Sequence, residues 1–382
     1  MNIDFSNISI SENITDNLNN KSQIRCVAIG DPHFKTKNKR EMELMVTKSI
    51  EFIRKIKPDF IINLGDTLDT HEKIHVVPLT QSINWMEELS TIAPLYVIIG
   101  NHDRPNNSDF LSDLHPFNGM KDNKNIKIVD CVKTCEINDF KFMFVPYVPP
   151  GKFNEAISTI EDNINNIKDY TCVWSHQEFY GAKMGAIISK DGDKWPLHNP
   201  IVVSGHIHDY QRPQENMIYT GTPIQHAFGD HARKTISLFT FSRDDNTIKS
   251  DYNKNNRNNT VIVNGIRCTE ERIDLGLPKK RIFRLTTQEV LTWQPPQNSL
   301  IKLIILGTNA ELKATMKLSL IKQWEKSGIK IDTKTTDDHA GISDTVNDVL
   351  EREIHFKQKL KQRVEHDPRM NKLYDMIFTQ LQ

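Results

Sequence analysis

Pro200-Ile201-Val202-Val203-Ser204-Gly205-His206-Ile207-His208 runs from a short apolar stretch straight into two imidazoles spaced two residues apart. An apolar run without polar alternation reads as a strand buried on both faces. A lone His-x-His occurs by chance in surface loops, but here it is the last of five stretches of one design. Residues 24–29 lead into Gly30-Asp31-Pro32-His33, and residues 60–64 into Gly65-Asp66-Thr67-Leu68-Asp69. Residues 95–99 lead into Gly100-Asn101-His102-Asp103, and residues 170–174 into Ser175-His176-Gln177-Glu178. In open α/β sheets ligands bind beyond the carboxyl ends of the strands, so five such ends bring their Asp, Asn and His to one rim.

The segments between them support this. Met42, Met45, Val46, Ile50, Ile53 and Ile56 recur at helical spacing and stop at Pro58. Ile83, Met86, Leu89 and Ile92 mark a second helix, closed by Pro94. Strand-helix-strand-helix-strand predicts a parallel sheet with right-handed crossovers. Residues 104–124 read as a polar loop. Residues 126–132 and 140–145 are expected to be strands, paired antiparallel. Ala156, Ile157, Ile160, Ile164 and Ile167 predict a third helix. Residues 181–195 read as an exposed loop over the rim, and residues 217–220 and 235–241 as two further strands.

Residues 1–22, rich in Asn and Ser, are expected to form a mobile tail. A dense Asp, Asn and Lys stretch over 243–259 places the domain boundary, so the main domain is expected over 23–245. A small α/β domain is expected over 260–340, on the apolar runs 282–285 and 300–306 and the amphipathic run 312–324. Residues 343–382 read as a helical, charged tail with one apolar stripe, which needs a covering surface: a partner, its own domain or a second copy in a homodimer.

Lys plus Arg and Asp plus Glu both number 49, so no global field attracts a polyanion, although a local basic groove stays open. Five cysteines, Cys26, Cys131, Cys135, Cys172 and Cys268, form no paired framework. Cys26 and Cys172 fall within expected strands as small hydrophobes, and Cys131-x-x-x-Cys135 is read as ordinary rather than metal-binding. With no leader or membrane-spanning run in sight, an intracellular setting is expected, cytoplasmic or nuclear, and no membrane partner.

Two divalent ions about 3.5–4 Å apart can clamp both the attacking and the leaving oxygen of a phosphoryl displacement. Such a pair needs a bridging carboxylate, several imidazoles and room for water. Asp31, His33, Asp66, Asn101, His176, His206 and His208 supply that set. Mixed nitrogen and oxygen donors without thiolate suit manganese, iron or zinc in a working site rather than a structural zinc. Singly, each residue has a blander reading as a turn, a cap or a satisfied side chain. His71, His75, His115, His198 and His226 lack this context and are taken as surface or supporting residues.

Asp31-x-His33, Gly65-Asp66-x-x-Asp69, Gly100-Asn101-His102-Asp103, His176 and Gly205-His206-x-His208 resemble the five motifs of the calcineurin-like metallophosphoesterases. The resemblance spans residues 24–241. It implies a four-layer α/β/β/α sandwich of two mixed sheets flanked by helices. It also implies one metal on Asp31, His33, Asp66 and His208, and a second on Asp66, Asn101, His176 and His206. His102 would act as the acid near the leaving oxygen, with Asp103 orienting it. Thr70-His71 and Asp103 depart from the protein phosphatase branch. Gly100-Asn101-His102-Asp103-Arg104-Pro105, the turn Gly221-Thr222-Pro223 and the appended α/β segment resemble SbcD-type DNA repair nucleases, with phage and large-virus relatives nearest. That resemblance implies a two-metal, manganese-dependent phosphodiesterase acting on DNA ends, a capping domain, and a tail that docks on an SbcC-like coiled-coil ATPase. The alternatives are a nucleotide or cyclic-nucleotide phosphoesterase and a catalytically silent scaffold.

Overall fold

The computed structural model describes residues 23–336 apart from 72, 162–163 and 245–257, together with 360–364, 366, 370–371 and 374. The expected N-terminal tail, and the tail over 343–382 except for those last few positions, lie outside the described residues. The chain divides into two compact units, with the division between Lys280 and Arg281.

In the first unit β1 (Gln23–Ile29), β2 (Phe60–Asn63), β3 (Leu95–Ile98) and β4 (Ile126–Val129) run parallel and adjacent, as the alternation of apolar runs and helices predicts. The crossovers are α1 (Lys39–Ile56) and α2 (Val76–Ser90). Helix α1 ends where Lys57 takes a left-handed φ of 49° and returns its amide to the Ile53 carbonyl, immediately before Pro58. Its Met42, Met45, Ile50, Ile53 and Ile56 are buried against Val27, Ile29, Ile61, Trp85 and Leu89. Burying each such side chain stabilises by about 1.5–3 kcal/mol, which a helix of modest intrinsic propensity requires.

The second sheet is built from β5 (Lys133–Ile137), β6 (Phe140–Val145), β7 (Cys172–His176), β10 (Ile201–Gly205), β11 (Gln211–Gln214) and β12 (Met217–Tyr219), in the order β11-β12-β10-β7-β6-β5. A two-stranded hairpin, β8 (Lys183–Met184) with β9 (Ile187–Ile188), interrupts it in sequence. Phe60, Ile62, Ile98, Phe142, Phe144, Trp174, Val203, Phe239 and Phe241 fill the space between the two sheets. The outer face of the second sheet packs Val145, Val173 and Val202 with Phe153, Ala156 and Ile157 of α3 (Phe153–Ile157). Helices, sheet, sheet, helix is the expected four-layer order.

Three expectations are corrected. Residues 126–132 and 140–145 do not pair: β4 closes the edge of the first sheet beside β3, while β6 finds its antiparallel partner in β5. The alternation Lys133-Thr134-Cys135-Glu136-Ile137 has too few apolar positions to stand out, as suits an edge strand. The third helix is short, and a 3-10 turn over Ile164–Asp169 replaces its second half. The boundary expected within 243–259 is also displaced. Strands β13 (Ile236–Arg243), β14 (Asn258–Val263) and β15 (Ile266–Ile273) extend the first sheet to seven strands, in the order β14-β15-β13-β1-β2-β3-β4. The polar stretch is therefore a connection within the first unit, and the domain beginning expected at 260 starts some twenty residues later.

The division falls inside β16 (Lys279–Thr286). The second unit carries β17 (Ser299–Gly307), α4 (Asn309–Thr315), α5 (Ser319–Lys326) and β18 (Lys330–Thr335), with the sheet order β16-β17-β18. Its own core gathers Val290, Ile301, Leu303, Ile305, Leu312 and Ile321. Thr308 and Glu311 form a reciprocal capping box that starts α4. Among the described residues no helix is long and apolar enough to cross a membrane.

Candidate metal centre

Four of the proposed ligands take left-handed backbone angles that side chains other than glycine seldom adopt: Asp31 (φ 43°), His33 (47°), Asp66 (48°) and His206 (79°). Each stands just beyond the end of β1, β2 or β10, where the chain turns sharply out of the sheet. Such angles cost about 1–3 kcal/mol each and persist where surrounding structure enforces them. Gly100 explains part of the enforcement. A Cβ there would stand 2.2 Å from the Asp66 amide nitrogen and 2.3 Å from Asp66 Oδ1, so only glycine lets β3 approach the turn after β2.

The ligand atoms of Asp31, His33 and His208 lie within 4.8 Å of one another, and those of Asp66, His176 and His206 form a second such group. Asp66 faces both, with Oδ2 3.6 Å from His33 Nε2 and Oδ1 3.3 Å from His176 Nε2. Asn101 Oδ1 joins the second group, 3.0 Å from His176 Nε2 and 2.9 Å from His206 Nδ1. The His33 and His208 Nε2 atoms face each other at 3.0 Å. Every metal ligand expected from the sequence is thus brought to one place.

Backbone groups orient these ligands. His176 Nδ1 donates to the Leu64 carbonyl at 2.8 Å, which turns Nε2 toward Asp66 and Asn101. The His206 amide donates to Asp31 Oδ1 at 2.8 Å, tying the two triads together. Burial drives His33 well below the usual histidine range, and burial with the neighbouring His176 imidazole takes His206 to about 3. Burial would depress His176 as well, but the carboxylates of Asp66 and Asp31 outweigh it and hold it up at about 9. Burial, reinforced by the Asp66 carboxylate, raises Asp31 to about 7. Asp31 Oδ2 and Asp66 Oδ2 are buried and accept no hydrogen bond. Converging imidazole nitrogens with unpartnered carboxylate oxygens are a donor set that fits divalent cations.

The calcineurin-like phosphoesterase family matches residues 24–242, more than half of the sequence. The chain belongs to the calcineurin-like phosphoesterase family. It is 37% identical over 319 residues to "Putative phosphoesterase 078R" of Invertebrate iridescent virus 3, covering 82% of this chain and 85% of that protein. It is 38% identical over 295 residues to "Putative phosphoesterase 244L" of Invertebrate iridescent virus 6, covering 77% and 97%. Among solved structures, the E. coli phosphoesterase Yfce is 11% identical with a TM-score of 0.29, covering 63% of this chain and 93% of that one, a likeness too slight to carry an argument. As a family member the chain is a metal-dependent hydrolase of phosphoester bonds.

Within this phosphoesterase centre one expected role is corrected. Among the described residues no hydrogen bond joins the His102 ring to Asp103. Its carboxylate accepts the main-chain amides of Thr67 (3.2 Å), Leu68 (2.9 Å) and Gly100 (3.1 Å), so it clasps the two ligand-bearing turns together. Burial, with the Asp66 carboxylate adding to it, raises Asp103 to about 7. The ring of His102 is instead held by the Asp69 carbonyl, which accepts from Nδ1 at 3.0 Å, and by His71, stacked on it at 4.4 Å.

Four residues without a definite role in the sequence reading stand at the site: Asp69 reads there only as part of the second motif, and His71 and His226 as surface or supporting residues. Asp69 Oδ1 lies 2.9 Å from Lys35 Nζ and 3.5 Å from His33 Nδ1, so Asp69 supports a ligand with its carboxylate and His102 with its carbonyl. His71, His226 and Tyr147 are the others. His226 donates to the Asp31 carbonyl at 3.0 Å and packs against the rings of His33 and His208. The Tyr147 ring lies 5.8 Å from that of His206. Asp69 and His71 were detectable by their position within and just after the second motif. His226 and Tyr147 leave no local signal, since only the fold returns them to the rim.

Proposed function

We propose that this phosphoesterase is a two-metal phosphodiesterase acting on DNA ends. The observation that carries the two-metal reading is Asp66, whose two carboxylate oxygens face different ligand triads. Two divalent ions held by Asp31, His33, Asp66, Asn101, His176, His206 and His208 would polarise the phosphoryl oxygens and offset developing charge. Manganese is the metal to test first, on the thiolate-free donor set. His102 spends Nδ1 on the Asp69 carbonyl, so its Nε2 remains to give a proton to the leaving oxygen. Three features support DNA over a mononucleotide: the segment Gly100-Asn101-His102-Asp103-Arg104-Pro105, the turn Gly221-Thr222-Pro223 and the separate α/β unit after Lys280.

The test is hydrolysis by manganese-loaded protein of bis-p-nitrophenyl phosphate, labelled duplex, single-stranded DNA, and nucleotides or cyclic nucleotides, over a salt series. A DNA enzyme cleaves the labelled strands with an affinity that falls steeply with salt, because phosphate contacts release counterions. Saturation by monomeric nucleotides with little salt dependence, and no cleavage of DNA, overturns the reading. The same proposal extends to a coiled-coil ATPase partner for residues 343–382, which a pull-down with and without those residues decides.

A further inference from the structure

Between two of the ligand-bearing strands the chain makes a hairpin that buries none of its side chains. Strands β8 and β9 pair as Lys183 with Ile188 and Met184 with Ile187, about the turn Gly185-Ala186. Ile187 is 67% exposed and Ile188 52%, with Met184 also exposed. An isolated two-stranded hairpin is marginal in water, and paired exposed isoleucines are unfavourable unless something covers them.

The hairpin is nevertheless held firmly at its base. Gln211 pins it twice, accepting the Lys183 amide and donating to the Lys183 carbonyl, both at 2.8 Å. Asp193 anchors the returning strand by accepting the amides of Gly151 (2.8 Å) and Phe153 (3.2 Å). The Tyr180 amide donates to the Asp193 carbonyl at 2.9 Å, and Phe179, Ala182 and Trp195 are buried beneath. These anchors are close to the metal centre along the chain. Tyr180 follows His176 by four residues, and Gln211 follows His208 by three. The surface of this segment carries three lysines against one exposed carboxylate, Asp191, and the half-buried Glu178. Lys183, Lys190 and Lys194 are exposed, and Lys194 Nζ lies 5.3 Å from the ring centroid of exposed Tyr180.

From this juxtaposition we propose that the hairpin Lys183–Ile188, with Tyr180 at its base, is a wedge that engages the end of a nucleic-acid duplex and parts its strands beside the metal centre. The proposal rests on the DNA reading above and names how that substrate is presented. Aliphatic side chains inserted between base steps unstack them, exposed aromatics receive freed bases, and lysines meet the flanking phosphates. An apolar tip flanked by three exposed lysines, in excess over the one exposed carboxylate of Asp191, suits that occupant. An apolar protein partner would not call for three lysines on the same small segment.

The experiment compares wild type with the double variant Ile187→Ser/Ile188→Ser, at two positions that are more than half exposed. Four substrates are used: bis-p-nitrophenyl phosphate, a blunt duplex, the same duplex with an unpaired fork, and the single strand. The expected result is a loss of about tenfold or more on the blunt duplex, with forked, single-stranded and small substrates within about twofold of wild type. An unchanged melting temperature shows that the loss is not unfolding. Equal rates for variant and wild type on every substrate overturn the wedge while leaving the DNA reading intact. An equal loss on all three DNA substrates makes the hairpin an ordinary contact and also overturns it. Wild type that hydrolyses the small diester but no DNA overturns the DNA reading, and the wedge falls with it.

Discussion

Asp66 Oδ1 lies 3.3 Å from His176 Nε2 and accepts the main-chain amide of His102 at 2.8 Å, while Oδ2 is turned toward His33. One carboxylate therefore joins both triads to the backbone of the proposed acid. Asp66→Ala is expected to leave less than two metals per chain by elemental analysis and to abolish diester hydrolysis. Full metal content in that variant would refute the bridging role. His102→Ala should keep both metals and slow turnover by roughly 10²–10⁴-fold, the usual worth of a positioned general acid. That loss should shrink for a p-nitrophenolate leaving group, which needs little protonation. Equal losses on good and poor leaving groups would remove His102 from the role. Asp103 acts differently, because it touches backbone and no reacting group. Asp103→Ala leaves the buried amides of Thr67, Leu68 and Gly100 without an acceptor, a cost of about 3 kcal/mol visible as a lower melting temperature. An unchanged melting temperature would show that the clasp contributes nothing to holding the turns.

At the scale of elements, the strands that position the site were the most legible part of the sequence, and for one reason. β1, β2, β3, β7 and β10 are covered on both faces, so their burial writes an uninterrupted apolar run into the chain. β5, β11 and β15 lie at or near sheet edges and carry charge, and edge strand β14 opens on two asparagines: Gln211-Arg212-Pro213-Gln214 does not look like a strand at all. β15 hides its alternation further by burying Glu270, which accepts from Tyr210 and Ser237 at 2.8 Å each. The left-handed turns were not legible either, because the angles at Asp31, His33, Asp66 and His206 are imposed by neighbouring strands. Gly100→Ala tests that imposition: it should unfold the turn after β2 and lose metal binding, although Gly100 offers no ligand. Wild-type metal content there would disprove it. The long loop over 104–124 depends on Asp130, just past β4. Burial would raise the Asp130 carboxyl, but His115 and the Lys121 ammonium (2.5 Å) hold it well below the usual range. A depressed carboxylate contributes stability above its unfolded pKa, near 3.9, and loses it as pH falls toward the folded value. Proteolysis within this loop should therefore rise below about pH 4 in wild type, and already at neutral pH in Asp130→Asn. Identical cleavage of the two proteins at neutral pH would sink the idea.

At the scale of the molecule, the decisive difference between expectation and structure is where the first unit ends. Composition pointed to 243–259, where Asp, Asn and Lys crowd together, because a polar stretch between apolar runs usually marks a linker. Here the chain crosses it and comes back, and β15 pairs with β13 along all eight residues from Ile236 to Arg243. Val261, Ile266 and Cys268 then complete the apolar layer between the two sheets, and Ile273 and Leu275 complete the layer under α1 and α2. The last residue of the unit is tied in as well, since the Lys280 amide donates to Gln225 Oε1 at 2.7 Å and its ammonium meets Glu41 at 2.5 Å. Two truncations separate the readings. A chain ending after Lys280 keeps every strand of both large sheets and all seven proposed metal ligands. It should melt cooperatively and hydrolyse bis-p-nitrophenyl phosphate at close to the full-length rate. A chain ending at residue 245 loses β14 and β15, leaving β13 as a bare edge with Phe239 and Phe241 partly uncovered, and should aggregate or lose its cooperative transition. If the shorter chain folds and turns over as well as the longer one, β14 and β15 are an appendage, and the unit ends where composition first suggested.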